Sequence, residues 1–321
     1  MPEPRATLGL LDRKLLFVTG KGGVGKTSVA SALALLAAER GKRTLVCEVD
    51  SKGDLGDFYG LGPLSFQPTE VRPNLHAMAM DTEESLKEYL RLHLKLPLLA
   101  KVGPLARTFD FIANAAPGVK EILTVGKLTY EVRERNFDLV VVDASATGHV
   151  VGQLASPVAI NDLVKVGLVR NQTDWMIDIL TDPRQTGVVV VTVPEEMPVS
   201  ETLELIERLG TETDIDVASV VVNRVLPELF GRGEEALFDQ LRAPEAEAAL
   251  EAEVGAGIHA VLDGADLAVS LRRSRVSHMA RLRDGLPSGL PVINLPFLFA
   301  RSHGVRATAR IAESLGEELG F

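Results

Sequence analysis

The chain has 321 residues, 46% of them apolar and 24% charged, with a formal net charge of −10. Such proportions suit a globular protein with a full core, built as one large domain or as one domain carrying a substantial insertion. The acidic balance argues against nonspecific binding to nucleic acid or to an anionic membrane surface. No apolar run approaches the ~18 uninterrupted residues of a membrane span. The opening residues, MPEPRATLGLLDRK, lack the apolar stretch of an export signal. A single cysteine, Cys47, excludes an internal disulfide and a multi-thiolate metal site. A soluble, cytoplasmic protein is expected.

In chain order, the first element is a continuous apolar run, 15-LLFVT-19, expected to be a buried strand. A glycine-rich loop follows, and then an alanine-rich helix over about 28–40. The loop fits G-x-x-x-x-G-K-[ST] from Gly20 to Thr27. In such a loop backbone N–H groups cradle phosphate oxygens, Lys26 reaches the β/γ-phosphates and the Thr27 hydroxyl ligates Mg²⁺. The helix presents its positive end to the same phosphates. The nucleotide-binding set is Gly20, Lys21, Gly22, Gly23, Val24, Gly25, Lys26, Thr27 and Ser28. Gly22, Gly23 and Gly25 suit close backbone approach to an anion. Lys21 is additional to what the loop needs; its plain reading is an exposed loop lysine.

The second expected strand, 44-TLVCEVD-50, runs into 50-DSKGDLGDFYG-60. Carboxylates there sit at the C-terminal sheet edge, where α/β folds bind ligands. Asp50 is a candidate for magnesium or water contacts and Asp57 for orienting an attacking water. Seen alone, this stretch reads as a solvated acidic loop. About ninety residues then separate this strand from the next, far more than one crossover requires. Residues of about 82–135 and 150–182 are apolar and helix-forming, and we read them as a helical subdomain inserted into a single domain spanning 1–321. Leu86, Tyr89, Leu90, Leu94, Leu98, Leu99, Val102, Leu105, Phe109 and Ile112 give its first part an apolar density sufficient for a groove.

The next strand, 138-DLVVVDA-144, ends at Asp143, placed to hold Mg²⁺ through water or, more plainly, to cap a helix. Beside it, Gly148 suits a loop that senses the γ-phosphate. Further strands are expected at 187–193, 217–223 and 291–296, with helices at 199–210 and 258–284. Unbroken apolar strands alternating with helices define an α/β fold with a mostly parallel sheet covered on both faces. The basic amphipathic stretch 269–286 reads as a helix packed on that sheet with a solvated arginine face.

Three segments make a resemblance specific. KGGVGKTS is similar to the P-loop of the deviant-Walker-A (signature-lysine) ATPases, with Lys21 as the signature lysine. The segment D-S-K-G-D-L-G-D-F resembles the switch I pattern of the arsenite-pump ATPase and guided-entry tail-anchored protein targeting family, with Asp50 and Asp57 at its aspartates. D-A-S-A-T-G-H resembles that family's switch II and brings in Asp143, Thr147, Gly148 and His149. VVNRV and 294-NLPFLF-299 echo the adenine-side segments, so the resemblance assigns adenine contacts to Asn223, Pro296 and Phe297. APGVKEIL echoes a segment of the family's helical subdomain.

This resemblance implies a P-loop NTPase fold, ATP hydrolysis with Mg²⁺, and a dimer in which each Lys21 reaches the partner's phosphates. Lys21, Lys26 and Asp57 are then the catalytic set, and Thr27, Asp50 and Asp143 the metal set. With one P-loop per chain, the dimer is either a homodimer or a heterodimer with a related ATPase. The helical subdomain is the family's client-binding region, which implies a hydrophobic protein client, no nucleic acid and only indirect membrane contact. The chain departs from the pattern at Gly53, where switch I has histidine, and at Ala146, where switch II has proline. It also lacks the C-x-x-C zinc clasp and the metalloid-binding cysteines. The alternatives are a positioning or partitioning ATPase, or one subunit of a paralogous regulatory heterodimer.

Overall fold

Eight strands form one sheet in the order β3-β4-β2-β5-β1-β6-β7-β8 among the described residues. The computed structural model describes residues 9–49, 53–94, 118–164, 166–228, 231, 233–299 and 304–321. The strands are β1 (Leu15–Gly20), β2 (Thr44–Glu48), β3 (Thr69–Arg72), β4 (Leu75–Ala79), β5 (Leu139–Ala146), β6 (Thr186–Thr192), β7 (Val217–Val225) and β8 (Val292–Pro296). All neighbours run parallel except β3, which pairs antiparallel with β4 at one edge. The six apolar runs of the sequence are six of these strands, and the expected α/β fold is the one observed.

The hairpin β3–β4 was not expected. It lies inside the long interval after β2 and places β4 directly beside β2. β3 is largely exposed, so it lacks the continuous apolar signature of a buried strand, and Asn74 turns the hairpin at φ 64°.

Side-chain alternation along each strand builds two separate core layers. Leu16, Val18, Val46, Val141 and Val189 face α1 (Lys26–Glu39) and, near the C-terminus, a second helix (Val305–Glu318). Leu15, Phe17, Leu45, Val140 and Val188 face the other way. That second layer is closed by Val119–Arg133, Thr147–Leu163, Leu168–Thr181 and Glu196–Glu212. In chain order the helices are α1, α2 (Thr82–Leu94), α3 (Val119–Arg133), α4 (Thr147–Leu163), α5 (Leu168–Thr181), α6 (Glu196–Glu212), α7 (Glu234–Leu241), α8 (Pro244–Val254), α9 (Gly257–Gly285) and α10 (Val305–Glu318). Every residue of α1 from Ser28 to Ala38 is buried, because the sheet covers one side and α10 another. Arg13 is buried ahead of β1, donating to the Thr186 carbonyl at 2.7 Å and pairing with Asp216 at 2.6 Å, and so ties three parallel strands together.

The helices α2, α3, α4 and α5 pack on one another. α9 differs from its expectation. It packs chiefly on α6 and α8, only Leu262, Val269 and Leu282 are buried, and Val261, Leu267, Leu271 and Val276 are exposed. No helix of the described residues is long and apolar enough to cross a membrane.

Candidate nucleotide site

β1 leads directly into the loop and α1. The turn is possible only with glycine at key points: Gly23 and Gly25 have φ of 85° and 97°, a region L-residues avoid. At Gly20 a Cβ would lie 2.1 Å from the Val191 carbonyl oxygen of β6, and at Gly25 it would lie 2.4 Å from Asn223 Nδ2. At Gly22 a Cβ would meet no protein atom within 4 Å.

The loop opens onto the C-terminal edge of the sheet, at the end of central strand β1. The N-terminal N–H groups of α1 have no intrahelical acceptor and face this opening. Lys26 Nζ lies 3.3 Å from the Lys21 carbonyl oxygen, so its ammonium lies against the loop backbone. Thr27 donates its hydroxyl to Asp143 at 2.6 Å. Asp143 is buried within β5, three residues before its end, level with Val18 of β1 on one side and Glu48 of β2 on the other. A hydroxyl and a carboxylate converging beside a phosphate loop are the hard oxygen donors that Mg²⁺ takes. The two residues therefore fit the ion.

Asp50 lies outside the described residues. Asp57 is exposed on the short helical turn Leu55–Tyr59. That turn is anchored by the Tyr59 hydroxyl donating to the Ser31 carbonyl of α1 at 2.9 Å and by Thr308 donating to the Phe58 carbonyl at 3.2 Å. Thr147, Gly148 and His149 open α4 immediately after β5. Lys21 reaches out of the loop and pairs with Glu201 of α6 at 2.5 Å.

Asn223 is buried at the end of β7. Its amide donates to the Val24 carbonyl at 2.8 Å, and its own oxygen accepts the Arg224 N–H at 2.9 Å. In this structure the side chain braces the phosphate loop from two strands away. Pro296 and Phe297 lie beside the end of β7, with Phe297 N–H donating to the Val225 carbonyl at 2.8 Å. Phe297 stacks at a tilt on exposed Phe299, with ring centres 4.8 Å apart. The three residues assigned to adenine thus share one corner of the sheet edge.

Sequence reasoning passed over two residues. Glu48 is 3% exposed, accepts the Asp54 N–H at 3.2 Å, and has a second oxygen with no hydrogen-bond partner among the described residues. Burial pushes its carboxyl above the usual range, partly offset by N–H groups of Asp54, Leu55 and Gly53. Its one available signal was a charge inside an otherwise apolar strand. Glu201 had no signal, because it becomes relevant only through the fold. Cys47, fully buried, has its thiol pushed up by burial and is chemically quiet.

A cavity of about 410 Å³ lies among α2, α3, α4 and α5, walled by Leu86, Tyr89, Ile122, Val169, Trp175 and Met176. Lys127 at its edge pairs with Glu88 and Glu131, both at 2.7 Å. Leu98, Leu99, Val102, Leu105, Phe109 and Ile112 lie outside the described residues, as does the side chain of Leu94; Leu86, Tyr89 and Leu90 are half-buried. Trp175 packs against the second core layer beneath Arg133, 4.8 Å from its ring centre.

A phosphate loop between a central parallel strand and a buried helix, with the hydroxyl of Thr27 at the start of that helix bonded to Asp143 of the neighbouring strand, defines a P-loop NTPase. Comparison with known proteins narrows the class. A family model described as anion-transporting ATPase matches residues 13–176 and 165–236. ATPase BagA of Mycobacterium tuberculosis is 33% identical over 225 residues, 67% of this chain and 66% of that protein. ATPase ASNA1 homolog 1 of Paramecium tetraurelia is 30% identical over 254 residues, 66% of this chain and 75% of that one. A Halobacterium salinarum protein named for driving an arsenical pump is 31% identical over 253 residues, 74% of this chain and 39% of that protein. The chain belongs to the anion-transporting ATPase family. Its match to the mycobacterial relative spans just under two thirds of that relative's length.

Proposed function

We propose that this chain is a Mg²⁺-dependent ATPase acting as a dimeric switch, in which nucleotide-driven closure governs a hydrophobic client surface on the helices α2 to α5. The observation that carries the nucleotide reading is the loop from Gly20 to Ser28, with Thr27 hydrogen-bonded to Asp143 beside it.

Phosphoryl transfer to water asks the protein mainly for positioning and charge stabilisation. The loop amides and the positive end of α1 bind the phosphate oxygens, and Lys26 compensates their charge. Thr27 and Asp143 would hold Mg²⁺, with Asp50 as the remaining candidate ligand. When bound, the ion neutralises phosphate charge as a Lewis acid. Asp57 orients the attacking water, and the anchored turn Leu55–Tyr59 fixes the direction from which it does so. Lys21 acts across the dimer as a lysine counterpart of an arginine finger. Asn223, Pro296 and Phe297 form the purine side. Asn223 contributes there through the amide hydrogen and lone pair left over from its bonds to Val24 and Arg224.

Support for a client surface comes from exposed apolar residues. Val158, Leu163, Val166 and Val169 are 46%, 79%, 83% and 41% exposed where α4 meets α5, and Val169 also walls the cavity. Clustered exposed apolar side chains of this kind mark interaction sites. We read 82–135 and 150–182 as the inserted subdomain that carries this surface. The mycobacterial and ciliate relatives are named as ATPases, which supports hydrolysis for this chain.

Phosphate release and binding of a fluorescent ATP analogue test the nucleotide reading. Lys26→Ala removes both turnover and tight binding, and chelation of Mg²⁺ stops turnover of the unaltered chain. Turnover surviving in Lys26→Ala would refute it.

A further inference from the structure

We propose that Glu201 is the resting counter-ion of Lys21, a latch that keeps this lysine within its own protomer until a second subunit closes. The inference rests on the reading of Lys21 as a residue that acts across the dimer. Lys21 Nζ and Glu201 Oε1 are 2.5 Å apart, and the two side chains are 30% and 31% exposed. This is a close pair at a boundary with solvent.

The two sides of the latch are anchored differently. Glu201 sits in the second turn of α6, beside buried Val199, Thr202 and Leu205, so its backbone cannot follow a departing lysine. Lys21 lies in a loop flanked by Gly20, Gly22 and Gly23, with its carbonyl next to Lys26 Nζ. Rotation of its side chain alone releases it while the phosphate loop stays in place. The pair joins elements 180 residues apart and contributes little to the core, since half-exposed ion pairs are worth little to stability.

Held by Glu201, the ammonium is compensated and turned toward α6. Dimer closure offers it a phosphate of higher charge, and the lysine exchanges one anion for another. Each dimer that forms breaks two such pairs, so the latch raises the concentration at which ATP assembles the dimer.

The test compares the unaltered chain with Glu201→Gln, which keeps the shape and removes the charge. Dimerisation is followed by sedimentation with a non-hydrolysable ATP analogue, and turnover is followed against protein concentration. Glu201→Gln is expected to lower the dimer dissociation constant about fivefold, equivalent to about 1 kcal/mol for the two pairs. The protein concentration giving half-maximal turnover falls with it. The difference closes toward ~0.5 M salt, where exposed charges are screened, a response that a purely structural role would not show. In a Lys21→Ala background, Glu201→Gln has no further effect. Unchanged or weaker dimerisation in Glu201→Gln, or the same gain without Lys21, overturns the latch. If Lys21→Ala itself assembles and turns over normally, the trans-lysine reading falls and takes the latch with it. If Lys21→Ala is impaired while Glu201→Gln is unaltered, only the latch is lost.

Discussion

The contact between Asn223 and the phosphate loop makes a quantitative prediction that requires no nucleotide. Asn223→Ala removes the 2.8 Å bond to the Val24 carbonyl, and Val24 is only 1% exposed. Leaving a buried carbonyl unpaired costs about 1–3 kcal/mol. A chain of 321 residues has an unfolding entropy of roughly 0.7 kcal/mol per kelvin, so a loss of ~2 kcal/mol lowers Tm by ~3 °C. Gly25→Ala is expected to cost more, ~3 kcal/mol. Its φ of 97° strains an alanine by about 1–2 kcal/mol, and the new Cβ would lie 2.4 Å from Asn223 Nδ2. In the double variant that collision vanishes, so the two losses sum to less than ~5 kcal/mol, with a coupling of about 1–2 kcal/mol. Denaturant unfolding of the four proteins without nucleotide measures the cycle. Additivity within ~0.5 kcal/mol would show that Asn223 does not bear on the loop.

Four further outcomes follow from the same geometry. Thr27→Val removes the hydroxyl bonded to Asp143; Mg²⁺ should strengthen ATP-analogue binding in the unaltered chain and no longer do so in the variant, as titration calorimetry would read. Asp216→Ala leaves the buried Arg13 charge without its partner and should destabilise by about 2 kcal/mol, moderated because Asp216 is 28% exposed. The Cys47 thiol, 0% exposed, should react with an aromatic disulfide reagent only as fast as the protein unfolds. The hydrogen bond from the Arg184 side chain holds the Asp182 carboxyl down to about 2. A lowered folded value adds stability above the unfolded pKa of ~4 and loses it as pH falls toward 2. An Asp182→Asn variant should lack that acid-side loss, measured as Tm against pH.

The sheet was readable because its central strands are buried on both faces, so unbroken apolar runs such as 187-GVVVVTV-193 mark them without ambiguity. The edge hairpin escaped for the complementary reason. β3 is mostly solvated, and nothing in 69-TEVR-72 separates it from a polar loop. The placement of α9 turned on a finer matter. Its apolar positions suggested burial against the sheet, yet Val261, Leu267, Leu271 and Val276 stay exposed. The helix runs along α6 and α8 with three buried residues in 29, and periodicity alone cannot tell which apolar face has a partner.

The site divides along the same line. Residues contiguous in sequence were legible, since loop, strand end and helix start are one local unit with its chemistry in order. The residues that condition it come from afar. Glu48 lies beside Asp143 only because β2 pairs with β5, and there one of its oxygens holds the Asp54 N–H that begins the turn carrying Asp57. Asn223 reaches Val24 across 199 positions, and Glu201 meets Lys21 across 180. Each supplies a polar partner to a group the motif already contains, and no spacing rule encodes such a partner. The phosphate loop therefore indicates which atoms would meet ATP. What keeps those atoms waiting in position is set by the tertiary fold, and it can be tested only where the fold brings the two ends together.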